Sequence, residues 1–476
     1  MVRPRRYNRV TDKIIEELRR IVGPAYVIYG QPERLEPYSH DEVVEPKYAH
    51  MPECVVRPQS AEEIAAVLKL ANRELIPVTP RGAGSGLSGG AVPIHGGIVL
   101  LLDRMNRILE IDRDNMMIVV EPGVVTNEIS NAVREYGLFY AGYPMSLETC
   151  FIGGNVAENA GGAKAVKYGV TGRYVTGLEM VSAAGEIVQL GGKLVKDVTG
   201  YDLIQLMVGS EGTLGVFTKI ILKLMPLPKA SADLLVLFPT TEEAIAAVPR
   251  LMTKSGITPT TIEFMDRISL QTTCKFLNET LPCEQAGAVL LISVDGPNAA
   301  QVEREYEAIG QLLQAAGAFE VYVADNPITS QRIWRVRSNT GEAFAVVSAH
   351  QSNEDLVVPI AAIPALVAGM EALAAKYDVL IPCYGHAGDG NVHTRVVKNP
   401  SWTLKQWNAV QARLLRELYE LTARLGGRIS GEHGIGHKRK KYLPMFLSKD
   451  HINLMRRLKL ALDPNNILNP GKIVDA

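Results

Sequence analysis

Cysteine is scarce in this chain: five in 476 residues, at positions 54, 150, 274, 283 and 383, with no two in a CxxC pair. That spacing excludes a disulfide framework and an iron-sulfur cluster held by the chain itself. Cys383 reads as a small buried hydrophobe. An excess of one charge is also missing. Fifty basic residues against 51 acidic ones give a net charge of -1, which leaves no electrostatic footprint for nucleic acid or an anionic membrane surface. No uninterrupted apolar run reaches the roughly 20 residues of a membrane span. The basic start, Met1 to Arg9, leads into the amphipathic positions Ile14, Ile15, Leu18 and Ile21, not into an apolar core with a small-residue cleavage site. The expectation is a soluble cytoplasmic protein, peripheral to a membrane only through a partner, acting on a small molecule.

What the chain has in quantity is glycine, 42 residues, much of it clustered. Its length suits two or three domains, because single cores stop growing near roughly 250–300 residues. From residue 54 the pattern alternates strand and helix. Residues 54–57 read as a strand, and Ser60 to Glu63 has capping-box spacing ahead of the apolar face Ile64, Val67, Leu68, Ala71. Residues 76–79 form a second expected strand, and residues 81–90 follow it, half of them glycine. Within that decapeptide lie a GxGxxG dinucleotide pattern (84–89) and a GxSxG nucleophile pattern (86–90). Both require a helix immediately afterwards. Here a strand-like run, 97–103, begins too soon, so neither reading stands. What survives is a series of unobstructed backbone N–H groups suited to a pyrophosphate. Three further turn-rich clusters, at 149–164, 209–215 and 463–472, point with it to one large, extended cofactor held by backbone contacts.

The histidines concentrate differently. Of nine, four (386, 393, 433 and 437) lie in two short glycine-rich segments. Residues 379–397 read as a β-hairpin turning at 388–391, which sets His386 opposite His393 and Ala387 opposite Val392. Opposed Cβ atoms lie roughly 4.5–5.5 Å apart, close enough for two imidazoles to share one cation. Arg395 then shares the face of His393. A helix over 404–425 ends at Gly426-Gly427, and a strand-like 428–430 delivers Glu432 and His433 into a glycine-rich loop. Two imidazoles, a carboxylate and a further imidazole suggest a metal site with a proton acceptor beside it. Solvated histidines on two surface loops would leave the glycines unexplained.

Taken in order, residues 81–90, 155–162, 209–215, 385–393, 431–436 and 469–472 resemble the FAD-linked oxidases of the vanillyl-alcohol oxidase/p-cresol methylhydroxylase (PCMH) superfamily. The closer resemblance is to the glycolate oxidase catalytic subunit and D-lactate dehydrogenase branch, from about residue 38 to the C-terminus. It implies an α+β protein: an N-terminal helix and a PCMH-type FAD-binding domain of two subdomains over 1–228, an antiparallel-sheet cap or substrate domain over 229–427, and a C-terminal segment, 428–476, returning to the FAD domain. It also implies that FAD is held by Arg81, Gly82, Gly84, Ser85, Gly86, Gly89, Thr149, Gly153, Asn155, Asn159, Gly161, Gly162, Gly209, Glu211, Gly212 and Asn469. The loop 81–90 has no histidine or cysteine for a covalent flavin link, so non-covalent FAD is expected, with Cys150 the one nearby alternative.

By the same resemblance His386, His393 and Glu432 hold a divalent metal (zinc, iron or manganese), His433 is the general base, and Arg337 meets the substrate carboxylate. Relatives acting on D-2-hydroxyglutarate carry threonine, lysine and asparagine where this chain has Gly341, Asn353 and Arg395. The expectation is therefore metal-assisted oxidation of a short D-2-hydroxy acid, D-lactate or glycolate, to the 2-oxo acid, with Arg395 contributing to the site. The alternatives are D-2-hydroxyglutarate or another 2-hydroxy acid, and a flavin-free metal hydrolase on the same histidines. A non-catalytic subunit would lack the metal and base residues, which are all here. Having no redox centre of its own beyond flavin, the chain requires an electron acceptor: an electron-transfer flavoprotein, an iron-sulfur subunit or a quinone-linked partner.

Overall fold

Local signals place the first elements. Thr11 accepts from the Ile14 N–H at the start of the helix Asp12–Val22, which buries Ile14, Ile15, Leu18 and Val22. Ser60 likewise caps Ala61–Glu74 through the Glu63 N–H, while the Glu63 carboxylate reaches back to the Gln59 N–H. The structure, a computed structural model, describes residues 7–43 and 45–476; most of the basic start, residues 1–6, lies outside the described residues.

The chain divides into two units. The first comprises residues 1–160, 170–227 and 432–476. It holds a four-stranded sheet in the order Val27–Tyr29, Cys54–Val56, Ile98–Leu101, Val78–Arg81, in which the last three strands run parallel. The C-terminal segment joins this sheet where Val78 bridges Leu468. A five-stranded antiparallel sheet in the order Ile108–Asp112, Met117–Val120, Val216–Lys223, Val175–Val181, Ile187–Gly191 completes the unit's framework. Isoleucine, valine and leucine from the first sheet and from the helices Asp12–Val22 and Ala61–Glu74 form one core cluster, which Ile467 and Leu468 enter.

The second unit comprises residues 161–169 and 228–431. Its seven strands are antiparallel throughout, in the order Glu320–Ala324, Ala230–Phe238, Ala288–Gly296, Thr261–Asp266, Cys383–His386, Asn391–Val397, Gln351–Val357. Residues 161–169 are held to it by Asp295, which accepts from Lys167 Nζ at 2.5 Å and from the Tyr168 hydroxyl at 3.0 Å. One segment among the described residues, Ile360–Tyr377, is long and apolar enough to cross a membrane by length and composition. Its helix buries Ile363, Leu366, Val367, Met370 and Tyr377 and packs on the helices Thr241–Lys254 and Leu404–Arg424.

Candidate functional site

In the second unit the histidine hairpin forms, in a register different from the expected one. His386 pairs with Asn391, Gly385 with Val392 and Tyr384 with His393. The turn is therefore 387–390, not 388–391. Asn391 has left the turn because its side chain has better partners in the sheet: Nδ2 donates to Asp355 Oδ1 at 2.7 Å and to the Leu356 carbonyl at 2.9 Å. His386 and His393 become diagonal neighbours on one face, which long side chains still span. Their Nε2 atoms come to 3.2 Å and their ring centroids to 4.9 Å, with the planes nearly perpendicular.

Sheet pairing extends this row in both directions. Glu263 stands opposite His386 on Thr261–Asp266, and Asp355 stands opposite His393 on Gln351–Val357. Both carboxylates are fully buried. His386 Nδ1–H donates to Glu263 Oε1 at 2.6 Å, and Glu263 Oε2 pairs with Arg337 Nη2 at 2.6 Å. Burial alone would raise the Glu263 carboxyl; Arg337 first, and then His386, more than reverse this and hold it below its ordinary value. Asp355 accepts from the Ser430 hydroxyl at 2.6 Å and the Gly431 N–H at 3.0 Å, and lies 3.6 Å from His393 Nδ1. Sequence reasoning passed over both acids. Glu263 offered one weak signal, a charge between Ile262 and Phe264, whereas Asp355 ends the polar run 351–355 and offered none.

Tyr384 links the two candidate arginines. Arg337 lies over its ring at 5.3 Å, and Arg395 Nε donates to its hydroxyl at 3.1 Å. Arg337 is 4% exposed. Arg395 is half-buried, and among the described residues its Nη nitrogens have no hydrogen-bond partner. It runs across Gly341, where a Cβ would come within 2.7 Å of Arg395 Nη2.

With Nδ1 donating to Glu263, His386 presents an Nε2 lone pair to His393. The contact suits either a weak N–H···N hydrogen bond or a shared cation. Two nitrogens each about 2.0–2.1 Å from one tetrahedral cation lie roughly 3.3–3.4 Å apart, so the pair fits two legs of a metal site. Glu432 and His433 belong to the first unit, at its boundary, with His433 Nε2 3.7 Å from Glu432 Oε1.

The glycine clusters of the first unit fit a nucleotide cofactor. From Gly82 to Ser88 the backbone N–H groups donate to no acceptor among the described residues, and most of the loop is partly exposed. Such a run of donors is what a pyrophosphate needs. Gly84 (φ +81°) and Gly89 (φ +74°) take backbone conformations that favour glycine, and a Cβ on Gly84 would strike the Arg81 guanidinium at 2.1 Å. Arg81 itself is buried, donating to the carbonyls of His40 and Pro37 at 2.7 and 3.2 Å, so its guanidinium braces the loop from beneath.

Other expected cofactor residues also act on the framework. Asn155 Nδ2 donates to Thr126 Oγ1 at 2.6 Å, and Asn159 (φ +53°) accepts from the Gly172 N–H at 2.8 Å. Glu211 accepts from the N–H groups of Ile435 and Gly436, both at 2.7 Å, and Asn469 donates to the carbonyls of Gly90 and Glu211 at 2.9 and 2.8 Å. Gly153, Gly209 and Gly212 shape neighbouring turns: a Cβ on Gly153 would meet Pro122 at 2.5 Å, and the other two have positive φ. Thr149 is exposed, Ser85 and Gly86 lie within the donor run, and Gly161 and Gly162 fall in the second unit. Cys150 is buried against Thr126 Oγ1. Sequence reasoning also missed Glu158. Burial, then Glu211 and Asp41, push its carboxyl well up.

Residues 52–191 match the family described as FAD binding domain, and residues 227–473 the family described as FAD linked oxidases, C-terminal domain. The chain is 40% identical over 464 residues to the glycolate oxidase subunit GlcD of Bacillus subtilis (strain 168), covering 98% of this chain and 97% of that protein. It is 39% identical over 472 residues to the D-lactate dehydrogenase of Anaerostipes hadrus, covering 98% of each. Among solved structures, p-cresol methylhydroxylase with substrate bound superposes with a TM-score of 0.79 at 18% identity, over 98% of this chain and 97% of that one. This likeness confirms the expected fold: a PCMH-type FAD-binding part with an antiparallel-sheet domain.

Proposed function

Because this chain belongs to the FAD linked oxidases and is an FAD-linked oxidoreductase, we propose that it oxidises a short D-2-hydroxy acid, D-lactate or glycolate, to the 2-oxo acid. The flavin-free hydrolase alternative is set aside with the family established. When bound, FAD supplies a hydride acceptor, and a divalent metal supplies chelation of the acid's hydroxyl and carboxylate oxygens. The observation that carries the reading is the buried imidazole pair, with Nε2 atoms 3.2 Å apart and His386 gripped from behind by Glu263.

In this reading His386 and His393 are two metal ligands. The third ligand, Glu432, and the base, His433, rest on the resemblance in sequence. His433 as a neutral imidazole takes the hydroxyl proton as the Cα–H leaves as hydride. Arg395 holds the substrate carboxylate, because its Nη nitrogens are open whereas Arg337 Nη2 is ion-paired with the buried Glu263. The loop 82–88 holds the pyrophosphate of FAD non-covalently. Electrons then pass to a protein acceptor in the cytoplasm or at the membrane face.

The test is an anaerobic titration of metal-loaded protein with D-lactate, L-lactate, glycolate and D-2-hydroxyglutarate, following the oxidised flavin band. Selective bleaching by D-lactate or glycolate supports the proposal. Bleaching by D-2-hydroxyglutarate alone replaces the substrate, and a flavin that all four leave oxidised overturns the reaction.

A further inference from the structure

Glu263 is a carboxylate with no exposure, flanked on its strand by the buried Ile262 and Phe264. A buried ion pair is weak evidence for stability, since apolar replacements of similar volume often fold as well or better. The Glu263–Arg337 pair has a third partner that an ion pair serving only the core would not need. One carboxylate oxygen meets Arg337 Nη2 at 2.6 Å, and the other meets His386 Nδ1 at 2.6 Å. Arg337 is buried on the helix Pro327–Ser338, with its guanidinium 5.3 Å over the Tyr384 ring. The carboxylate thus has one oxygen paired with a buried cation and one aimed at the Nδ1 edge of the ring, away from His393.

Resting on the reading of His386 and His393 as metal ligands, we propose that Glu263 and Arg337 are positioning residues that lock His386 in the Nδ1–H tautomer, with its Nε2 lone pair directed at the cation site. A ligating histidine needs its other nitrogen held by an acceptor, which fixes both ring orientation and tautomer. Here the acceptor comes from the adjacent strand, and the arginine determines which way it points.

The geometry makes Glu263→Gln a discriminating change. If the amide oxygen faces His386, the amide NH2 faces the Arg337 guanidinium, donor against donor. If the amide turns over, its NH2 faces Nδ1 and drives the ring to the Nε2–H tautomer, which cannot ligate. Removing the arginine as well frees the amide to offer its oxygen to His386.

The experiment uses FAD-loaded full-length protein and Zn2+ as probe, in competition with a chromophoric chelator. Glu263→Gln is expected to weaken Zn2+ binding about 10- to 100-fold with flavin content unchanged, and the double variant Glu263→Gln/Arg337→Met to recover part of that loss. Zn2+ affinity in Glu263→Gln equal to that of the parent protein overturns the proposal. Two-bond 1H–15N spectra of histidine-labelled, metal-free protein give a second reading. The parent shows the Nδ1–H form for His386, and Glu263→Gln shifts it; an unchanged tautomer also overturns the proposal. If the parent binds no Zn2+ yet the tautomer shifts, the metal reading fails and the positioning role stands.

Discussion

Gly341 and Arg395 show how much one missing side chain permits. Arg395 reaches across the glycine with Nη2 where a β-carbon would need to be, so Gly341→Thr must push the guanidinium aside. Losing a charge-assisted hydrogen bond costs about 1.5–3 kcal/mol, so KM for the proposed short acid should rise roughly 10- to 100-fold by steady-state kinetics, with flavin content unchanged. An unchanged KM would remove Arg395 from the carboxylate. His433→Asn tests the base. The flavin should stay bound while its reduction by substrate, followed by stopped flow, slows by about 100- to 10,000-fold, the usual contribution of a positioned acid or base; near-parental reduction would vacate that role.

The hairpin carries the site at the scale of an element, and its turn is tightly constrained. Gly390 has φ +88°, and a Cβ there would come within 2.2 Å of the Val358 carbonyl. Gly390→Ala therefore combines backbone strain with a clash that backbone cannot relieve, a cost of at least about 1–3 kcal/mol. Thermal denaturation should show a lowered Tm, accompanied by weaker Zn2+ binding as the imidazoles part. The sequence showed this hairpin, its two histidines and the face of Arg395, because alternation and glycine punctuation are local signals. It misplaced the register, since choosing between turns at 387–390 and 388–391 depends on Asp355 and Leu356, which claim Asn391 from another strand. The pairing of Glu263 with His386 was illegible for the same reason. The acid lies 123 residues from His386 in a segment without glycine or histidine, and only strand pairing brings the two together. In the flavin-binding unit the glycine loop was legible, but the bracing role of Arg81 required knowing where the His40 and Pro37 carbonyls lie.

For the molecule as a whole, acid sensitivity follows from His437. Burial first, then Lys440 and Lys472, lower its pKa from 6.5 to about 4. Between those values the unfolded chain binds a proton at this site that the folded chain refuses, so the stability this group contributes is complete above pH 6.5 and is lost as pH falls toward 4. His437→Gln should flatten the dependence of Tm on pH within that window, and an unaltered slope would assign the acid loss to other groups. Cofactor removal acts at the same scale. Free FAD at a hundredfold excess over its Kd should stabilise the apoprotein by about 2.7 kcal/mol, read as a Tm that climbs with FAD concentration.

The route of the backbone has its own consequence. It passes from one unit to the other after residues 160, 169, 227 and 431, four times in all. Neither unit is a single stretch of gene. A truncation at residue 228 would deprive the flavin-binding unit of Ile467, Leu468 and Asn469, and would leave the other unit without Lys167 and Tyr168 to occupy Asp295. The two parts must be inherited, expressed and folded as one, and a single proteolytic nick at any crossing leaves three covalent tethers intact.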